Sequence, residues 1–260
     1  AIALLVVMVF MVTRGISVIS WEFLSEVPTD SMTRGGIFPC IVGTICLVGG
    51  AILIALPVGV CSAIYLNEYA VPGLRVRILR LCISNLAGVP SIVFGLFGLA
   101  FFCIILDMGV SILAGSLTLA VMTTPVIIGA TEEALKSVPN TYREASLGLG
   151  ATKWQTIARV VFPAALPGIL TGSILGVSRA AGETAPIMFT GAVFFTPNLP
   201  DSLMSEVMAL PYHIYVLATA GTNIEATRPM QFGTALVLIS LVFGMNLLAI
   251  LLRARLRHKT

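Results

Sequence analysis

The sequence predicts an all-α, polytopic membrane helix bundle, and three observations carry that expectation. Hydrophobic residues make up 57% of the 260 residues and charged residues only 10%, where a soluble domain carries about 25% charged. The mean hydropathy is +1.01. The apolar residues also come in long unbroken runs rather than in alternation, which favours spanning helices over a barrel. No second domain, internal repeat or low-complexity tract interrupts the chain, so 1–260 reads as a single transmembrane domain.

Charge-free runs place about six transmembrane helices. The first, 1–12, has no initiator Met or basic stretch before it and reads as the end of a truncated span. The others fall within 38–66, 81–106, 108–130, 163–191 and 230–252. Pro57, Pro90 and Pro125 lie inside these runs, where they kink helices and free carbonyls. Arg75, Arg77, Arg80, Lys136, Arg143, Lys153, Arg159, Arg253, Arg255, Arg257 and Lys259 fall on one set of loops. The opposite set has only Arg14, Arg34 and Arg228. That asymmetry predicts that the loop 131–163 and both termini are cytoplasmic. Outside lie the loop 14–37, with Trp21 near the interface, and a longer segment, 192–229, with a short helix expected around 202–219.

Several functions are disfavoured. The net charge of +3 is small and gives no reason to expect nucleic acid. Cys40, Cys46, Cys61, Cys82 and Cys103 sit in or beside apolar runs without C-x-x-C spacing, so small apolar residues are the reading, with no metal site. None of Lys136, Lys153 and Lys259 follows a glycine, so there is no P-loop, and ATP is expected on another chain. His213 and His258 are far apart and read as solvated rather than catalytic. Ser91 and Thr124, each beside a proline, either line a pathway or satisfy kinked backbone.

The polar stretch between the fourth and fifth spans is the first candidate site. Thr141-Tyr142-Arg143-Glu144 has the form of a capping box and predicts a helix starting at Thr141. Gly148 and Gly150 stand where that helix ends, and Thr152-Lys153-Trp154-Gln155 is a second box opening a helix that reaches Pro163. Two short helices at an angle form a compact knob facing water. An amphipathic loop lying on the headgroups, with Trp154 at the interface, is the alternative.

The second candidate is the charged pair in the fifth span. Gly168, Gly172, Gly176 and Ala180 recur every four residues, a stripe for close helix packing. Gly172, Gly176, Arg179 and Glu183 continue one helical face, which turns Arg179 and Glu183 toward neighbouring helices and within i, i+4 reach of each other. An Arg at mid-membrane costs roughly 2.5–3.5 kcal/mol, so it faces the bundle interior or a wet cavity. A buried ion pair locking two helices and a way-station for an anion both remain open; Arg offers a fork matched to phosphate or carboxylate oxygens.

Glu144, Ala145, Ser146, Gly150 and Pro163, with Val160 and Phe162, resemble the EAA loop of ABC-importer permeases, E-A-A-x3-G-x9-I-x-L-P. Ser146, Val160 and Phe162 replace Ala, Ile and Leu, and the spacing is kept. The run from Arg179 through Gly182, Glu183, Thr184 and Ala185 to Pro186 resembles the R-x-x-G-E-T-A-P segment of phosphate permeases of the PstA type. Gly35-Gly36-Ile37, 64–69, 87–93 and 210–215 point the same way. The resemblance covers most of the chain from Gly35 onward, with a permease core over about 38–252.

It implies half of a phosphate translocation pathway in a bacterial inner membrane, lined by Arg179, Glu183 and Thr184. Tyr142, Arg143, Glu144, Ala145, Ser146, Gly150 and Pro163 would then couple to an ATPase. The implied partners are a PstC-like permease, a homodimeric PstB-like ATPase and an extracytoplasmic PstS-like phosphate-binding protein. No cofactor is expected on this chain. Another oxyanion such as molybdate or sulfate is the alternative substrate. An intramembrane enzyme using Glu183 with Arg179, or a passive scaffold, is the alternative class.

Overall fold

The computed structural model describes residues 2–29, 32, 34–220 and 224–257; Ala1, His258 and Lys259 lie outside the described residues. The chain is helical nearly throughout, with helices α1 (Ile2–Gly15), α2 (Trp21–Ser25), α3 (Phe38–Ile64), α4 (Leu74–Ala87), α5 (Ser91–Gly98), α6 (Ile112–Lys136), α7 (Asn140–Gly148), α8 (Lys153–Thr156), α9 (Phe162–Gly182), α10 (Ala185–Thr190), α11 (Leu210–Thr219) and α12 (Ile224–Arg257). The described strands, β1 (Pro28–Thr29) and β2 (Arg34–Gly35), form a two-residue antiparallel hairpin.

Among the described residues, four helices are long and apolar enough to cross a bilayer: Phe38–Tyr69, Ile112–Lys136, Lys153–Gly182 and Thr227–Leu251. At ~1.5 Å per residue, a 25-residue helix such as Ile112–Lys136 reaches ~37 Å, beyond the ~30 Å hydrocarbon core. A shorter apolar helix covers Leu5–Val18. The run expected as a continuous third span is instead α4 followed, after a break at 88–90, by α5 and a π-helical stretch, Leu99–Ile105. Pro90 causes this: it cannot donate a backbone hydrogen bond, and it disfavours helical backbone at Val89. Pro57 and Pro125 do lie inside α3 and α6. Thr124 donates to the Ala120 carbonyl at 2.7 Å, which is the backbone-satisfying reading of that residue.

The fifth span also departs from expectation at both ends. It runs unbroken from Lys153, through a π-helical turn at Ile157–Val161, into α9. Pro163 therefore does not turn the chain; the wide turn just before it accommodates a residue that lacks an N–H. At the other end α9 stops at Gly182, and Thr184 caps the separate helix α10, with Pro186 in its first turn. Gly and Pro around one polar pair stop propagation. Glu183 and Thr184 thus lie in a helix break, and the single helical face expected through Arg179 and Glu183 ends before Glu183.

The chain forms two compact units. The first comprises 1–51, 91–119 and 180–244. Its buried cluster includes Phe23, Ile37, Cys40, Met208, Leu210 and Leu217. The connection 191–209 is knitted to α6: the N–H groups of Ile112 and Leu113 donate to the carbonyls of Ser205 and Leu203 at 2.9 Å each. These are orphan donors of a helix start that would otherwise lack partners. The short helix expected within the external segment is α11, at 210–219 only, and the Leu210 N–H donates to Thr44 Oγ1 of α3 at 2.8 Å.

The second unit comprises 52–90, 120–179 and 245–260. Its core joins Ala63, Leu66, Ile128, Leu135, Val161 and Ile169. Here α9 lies directly on α6 through small residues. A Cβ at Gly168 would sit 2.7 Å from the Ala134 Cβ, one at Gly172 would run into the Ala130 Cβ, and one at Gly176 would meet Thr123 Cγ2 at 3.1 Å. Gly172→Val should therefore push the two helices apart and cost about 1–3 kcal/mol, seen as a lower unfolding temperature in detergent. Gly129→Ala, where nothing lies within 4 Å, should leave that temperature nearly unchanged; equal effects would refute the close contact.

Candidate functional site

The knob is built from α7 and the start of the helix opened by α8. The second capping box is formed as expected: Thr152 Oγ1 accepts from the Gln155 N–H, and Gln155 Oε1 accepts from the Thr152 N–H at 2.8 Å. The first is not. Helix α7 starts one residue early at Asn140, with Pro139 as its cap and no side-chain cap bond. Proline fixes the entry angle there, so the Thr141 and Glu144 side chains are not needed for the cap. The C-terminus of α7 is a Schellman motif: the Ala151 N–H donates to Ser146 O and the Gly150 N–H to Leu147 O, with Gly150 at φ +84. Ser146 Oγ and Thr156 Oγ1, 2.9 Å apart, tie the two helices together.

Arg143 turns inward rather than outward. Its Nη2 donates to Glu68 Oε1 at 2.7 Å and to the Leu135 carbonyl at 3.0 Å; Nη1 donates to the Val138 carbonyl at 2.8 Å, and Nε to Glu68 Oε2 at 3.3 Å. The Glu68 side chain is 8% exposed and that of Arg143 17%. Glu68 belongs to a π-helical turn, Tyr65–Tyr69, that closes α3. Lys153 Nζ sits 5.1 Å from the centre of the Tyr69 ring, a second tie between the knob and the end of α3. Nearby, Glu132 of α6 pairs with Lys136 at 3.0 Å and with Arg80 of α4 at 3.4 Å. Arg80 also donates to the Leu66 carbonyl at 3.0 Å. Nothing in the local sequence joins Glu68 to Arg143, 75 residues away.

Among its exposed polar residues the knob also leaves large apolar side chains uncovered. Tyr142, Leu147, Leu149 and Trp154 are all exposed, Leu149 at 90%. Glu144 and Ala145 are exposed beside them, whereas Ser146 is half-buried and Pro163 lies within the span.

The second candidate region divides between two elements. Arg179 is half-buried in the last turn of α9. Beside it Ser178 Oγ lies 2.8 Å from Asn246 Oδ1 of α12. Glu183, in the helix break, lines a narrow crevice of the first unit with Thr44, Leu47, Leu119, Ile187 and Pro211. Thr184 is half-buried and heads α10. Polar side chains from several helices gather in that unit, including Thr44, Ser116, Thr118 and Thr190, all fully buried. Their hydroxyls bond to backbone carbonyls, as Thr118 does to Ala114 at 2.8 Å and Ser116 to Leu47 at 3.2 Å.

The family model for the "binding-protein-dependent transport system inner membrane component" matches residues 55–259, a stretch that contains both the knob and the Arg179–Thr184 segment. The chain belongs to that family. It is 32% identical to the "probable ABC transporter permease protein YqgI" of Bacillus subtilis, over 91% of this chain and 84% of that protein. It is 39% identical to the "phosphate transport system permease protein PstA 1" of Mycobacterium tuberculosis, over 84% of this chain and 71% of that protein. Among solved structures, a chain of the MetNI methionine ABC transporter superposes with a TM-score of 0.64 at 18% identity, covering 96% of this chain and 97% of that one. A chain of the bacterial alginate ABC transporter superposes at 0.67 and 13% identity, covering 93% and 85%. At those identities the likeness is one of fold.

This permease is thus a multi-pass membrane transport subunit of an ABC importer. Its knob is fastened to the bundle by charge, which gives a measurable expectation. Glu68→Ala strands Arg143, and loss of one partner of a buried pair costs up to about 3–5 kcal/mol. Even about 1.4 kcal/mol appears as tenfold more opening. Chymotryptic nicking at Tyr142, Leu147 or Trp154 should accelerate at least tenfold in Glu68→Ala and much less in Glu68→Gln, which keeps an acceptor. Unchanged nicking in Glu68→Ala would show that the pair does not hold α7.

Proposed function

We propose that this permease is half of the membrane pathway of an ATP-driven phosphate importer of the PstA type. The observation that carries the substrate is its 39% identity, over 220 residues, to a relative named as a phosphate transport permease; a second relative so named, from Mycobacterium leprae, is also 39% identical. The Arg179-Ala180-Ala181-Gly182-Glu183-Thr184-Ala185-Pro186 run supports the same assignment. Arg179 would attract the oxyanion with its fixed charge and fork of donors. Glu183 would moderate that field so that the anion passes on, and Thr184 would offer a neutral hydroxyl.

The partners follow from the same reading: a PstC-like second permease, a PstS-like phosphate-binding protein outside, and a homodimeric PstB-like ATPase that binds ATP while this chain binds none. The apolar face of Tyr142, Leu147, Leu149 and Trp154 would seat in a groove of the ATPase, with Glu144 on its rim. Gly150 supplies the tight bend of the knob, and Arg143, through Glu68, would pass the pull to α3. The loop 131–163 and the C-terminus, and with them the N-terminus, would be cytoplasmic, as the basic residues demand. Closure of the ATPase dimer would then drive alternating access.

In vesicles holding the complete complex, Arg179→Gln should reduce phosphate uptake at least 100-fold while the subunits still co-purify; normal uptake would assign Arg179 a purely structural role. Phosphate-loaded binding protein should stimulate ATPase activity where molybdate and sulfate do not, and the reverse pattern would overturn the substrate. Gly150→Pro cannot adopt φ +84 and should release the ATPase or leave its hydrolysis unlinked to uptake. Retained co-purification with normal transport would refute the role of the knob.

A further inference from the structure

A recess in the first unit is lined by Phe10, Arg14, Arg228, Pro229 and Phe232, a cavity of about 360 Å³. It lies where the end of α1 crosses the start of α12. The crossing is fixed by backbone: a Cβ at Gly15 would stand 2.8 Å from the Phe232 carbonyl carbon and 2.8 Å from Leu236 Cδ1. One residue before Gly15 is Arg14, and one turn before Phe232 is Arg228, so the contact that locks the helices also brings two guanidinium groups to one hollow. The rings of Phe10 and Phe232 meet edge to face at 5.5 Å, and the Arg14 guanidinium stands 5.7 Å above the Phe10 ring. The recess is open, with both arginines exposed at its mouth and the two aromatic rings as its apolar walls.

Among the described residues no carboxylate lines this hollow, and no salt bridge reaches either arginine. Two like charges held against aromatic walls repel each other, and apolar walls strengthen the field they set up. Elsewhere the described arginines Arg80 and Arg143 meet Glu132 and Glu68. A single arginine at the end of a span is ordinary snorkelling. A pair converging on one cavity, with no carboxylate among its described lining residues, has the chemistry to attract an anion.

The level of the site narrows the ligand. The span of α12 opens at Thr227, one residue before Arg228, so the hollow stands at the boundary between hydrocarbon and headgroups, at the end of α12 away from its basic C-terminus. Phosphate oxygens occur there both on lipid and in solution. We propose that Arg14 and Arg228 form a phosphate-oxyanion site, distinct from the Arg179 region, that takes the phosphate group of an anionic lipid or free inorganic phosphate. Two guanidinium forks suit the tetrahedral oxygens of either, while Phe10 and Phe232 suit the glycerol and first methylenes of a lipid. The inference does not depend on the substrate proposed above.

The test uses the complete complex, stripped of native lipid, in an Arg179→Gln background so that the pathway does not contribute. Native mass spectrometry with short-chain phosphatidylglycerol, and equilibrium dialysis with labelled inorganic phosphate, give the two affinities. Arg14→Gln with Arg228→Gln should weaken one of them at least tenfold, and Arg14→Lys with Arg228→Lys should restore part of it. Loss of phosphatidylglycerol binding, with phosphatidylcholine unaffected, assigns the lipid; loss of phosphate binding alone assigns the free ion. If the double Gln complex binds both probes as tightly as its parent, the site does not exist. Should that complex not assemble, Arg228→Gln alone carries the same readings.

Discussion

The architecture around the knob turns on one guanidinium. Arg143 gives its donors to a carboxylate on α3 and to the carbonyls that end α6, so one side chain closes two helix ends and anchors a third element. Without it, a nine-residue α7 would have little reason to hold one orientation, because isolated helices this short are unstable in water. Its rigidity is borrowed from the bundle. The glycine contacts of α9 on α6 and the Glu132 pairs stiffen the same region from the other side.

In the first unit the governing constraint is the burial of backbone polar groups away from water. Each irregularity there leaves backbone groups needing partners, and the chain meets the need with small hydroxyls and carbonyls from distant segments. Thr44 is the clearest case. Its Oγ1 receives the first N–H of α11 while donating to Cys40 O at 2.7 Å. Such bonds let a segment begin as a helix in mid-fold without a polar cap of its own.

The sequence made much of this legible. Continuous apolar runs identified the class, the glycine spacing identified the α9 face, and Gly150 together with the Thr152–Gln155 box outlined the knob. What escaped has a common physical form: it depends on partners far apart in the chain. Glu68 and Arg143 are an unremarkable helix-end acid and a loop base until folding joins them. The first capping box failed because Pro139, a stronger local constraint, already set the helix start. The continuous face through Arg179 and Glu183 failed because Gly182 and Pro186 outweigh periodicity. Both misreadings came from applying one pattern where a stiffer neighbour decides.

The break at Pro90 has an effect on the surroundings of the protein. Beyond it, the eight residues of α5 and the seven of the π-helical stretch reach at most ~22 Å, against ~30 Å of hydrocarbon. If this segment spans alone against lipid, nearby chains would shorten by several ångströms, at fractions of a kcal/mol per ångström. The importer would therefore carry its own locally thinned annulus, and its equilibrium between conformations would respond to acyl-chain length.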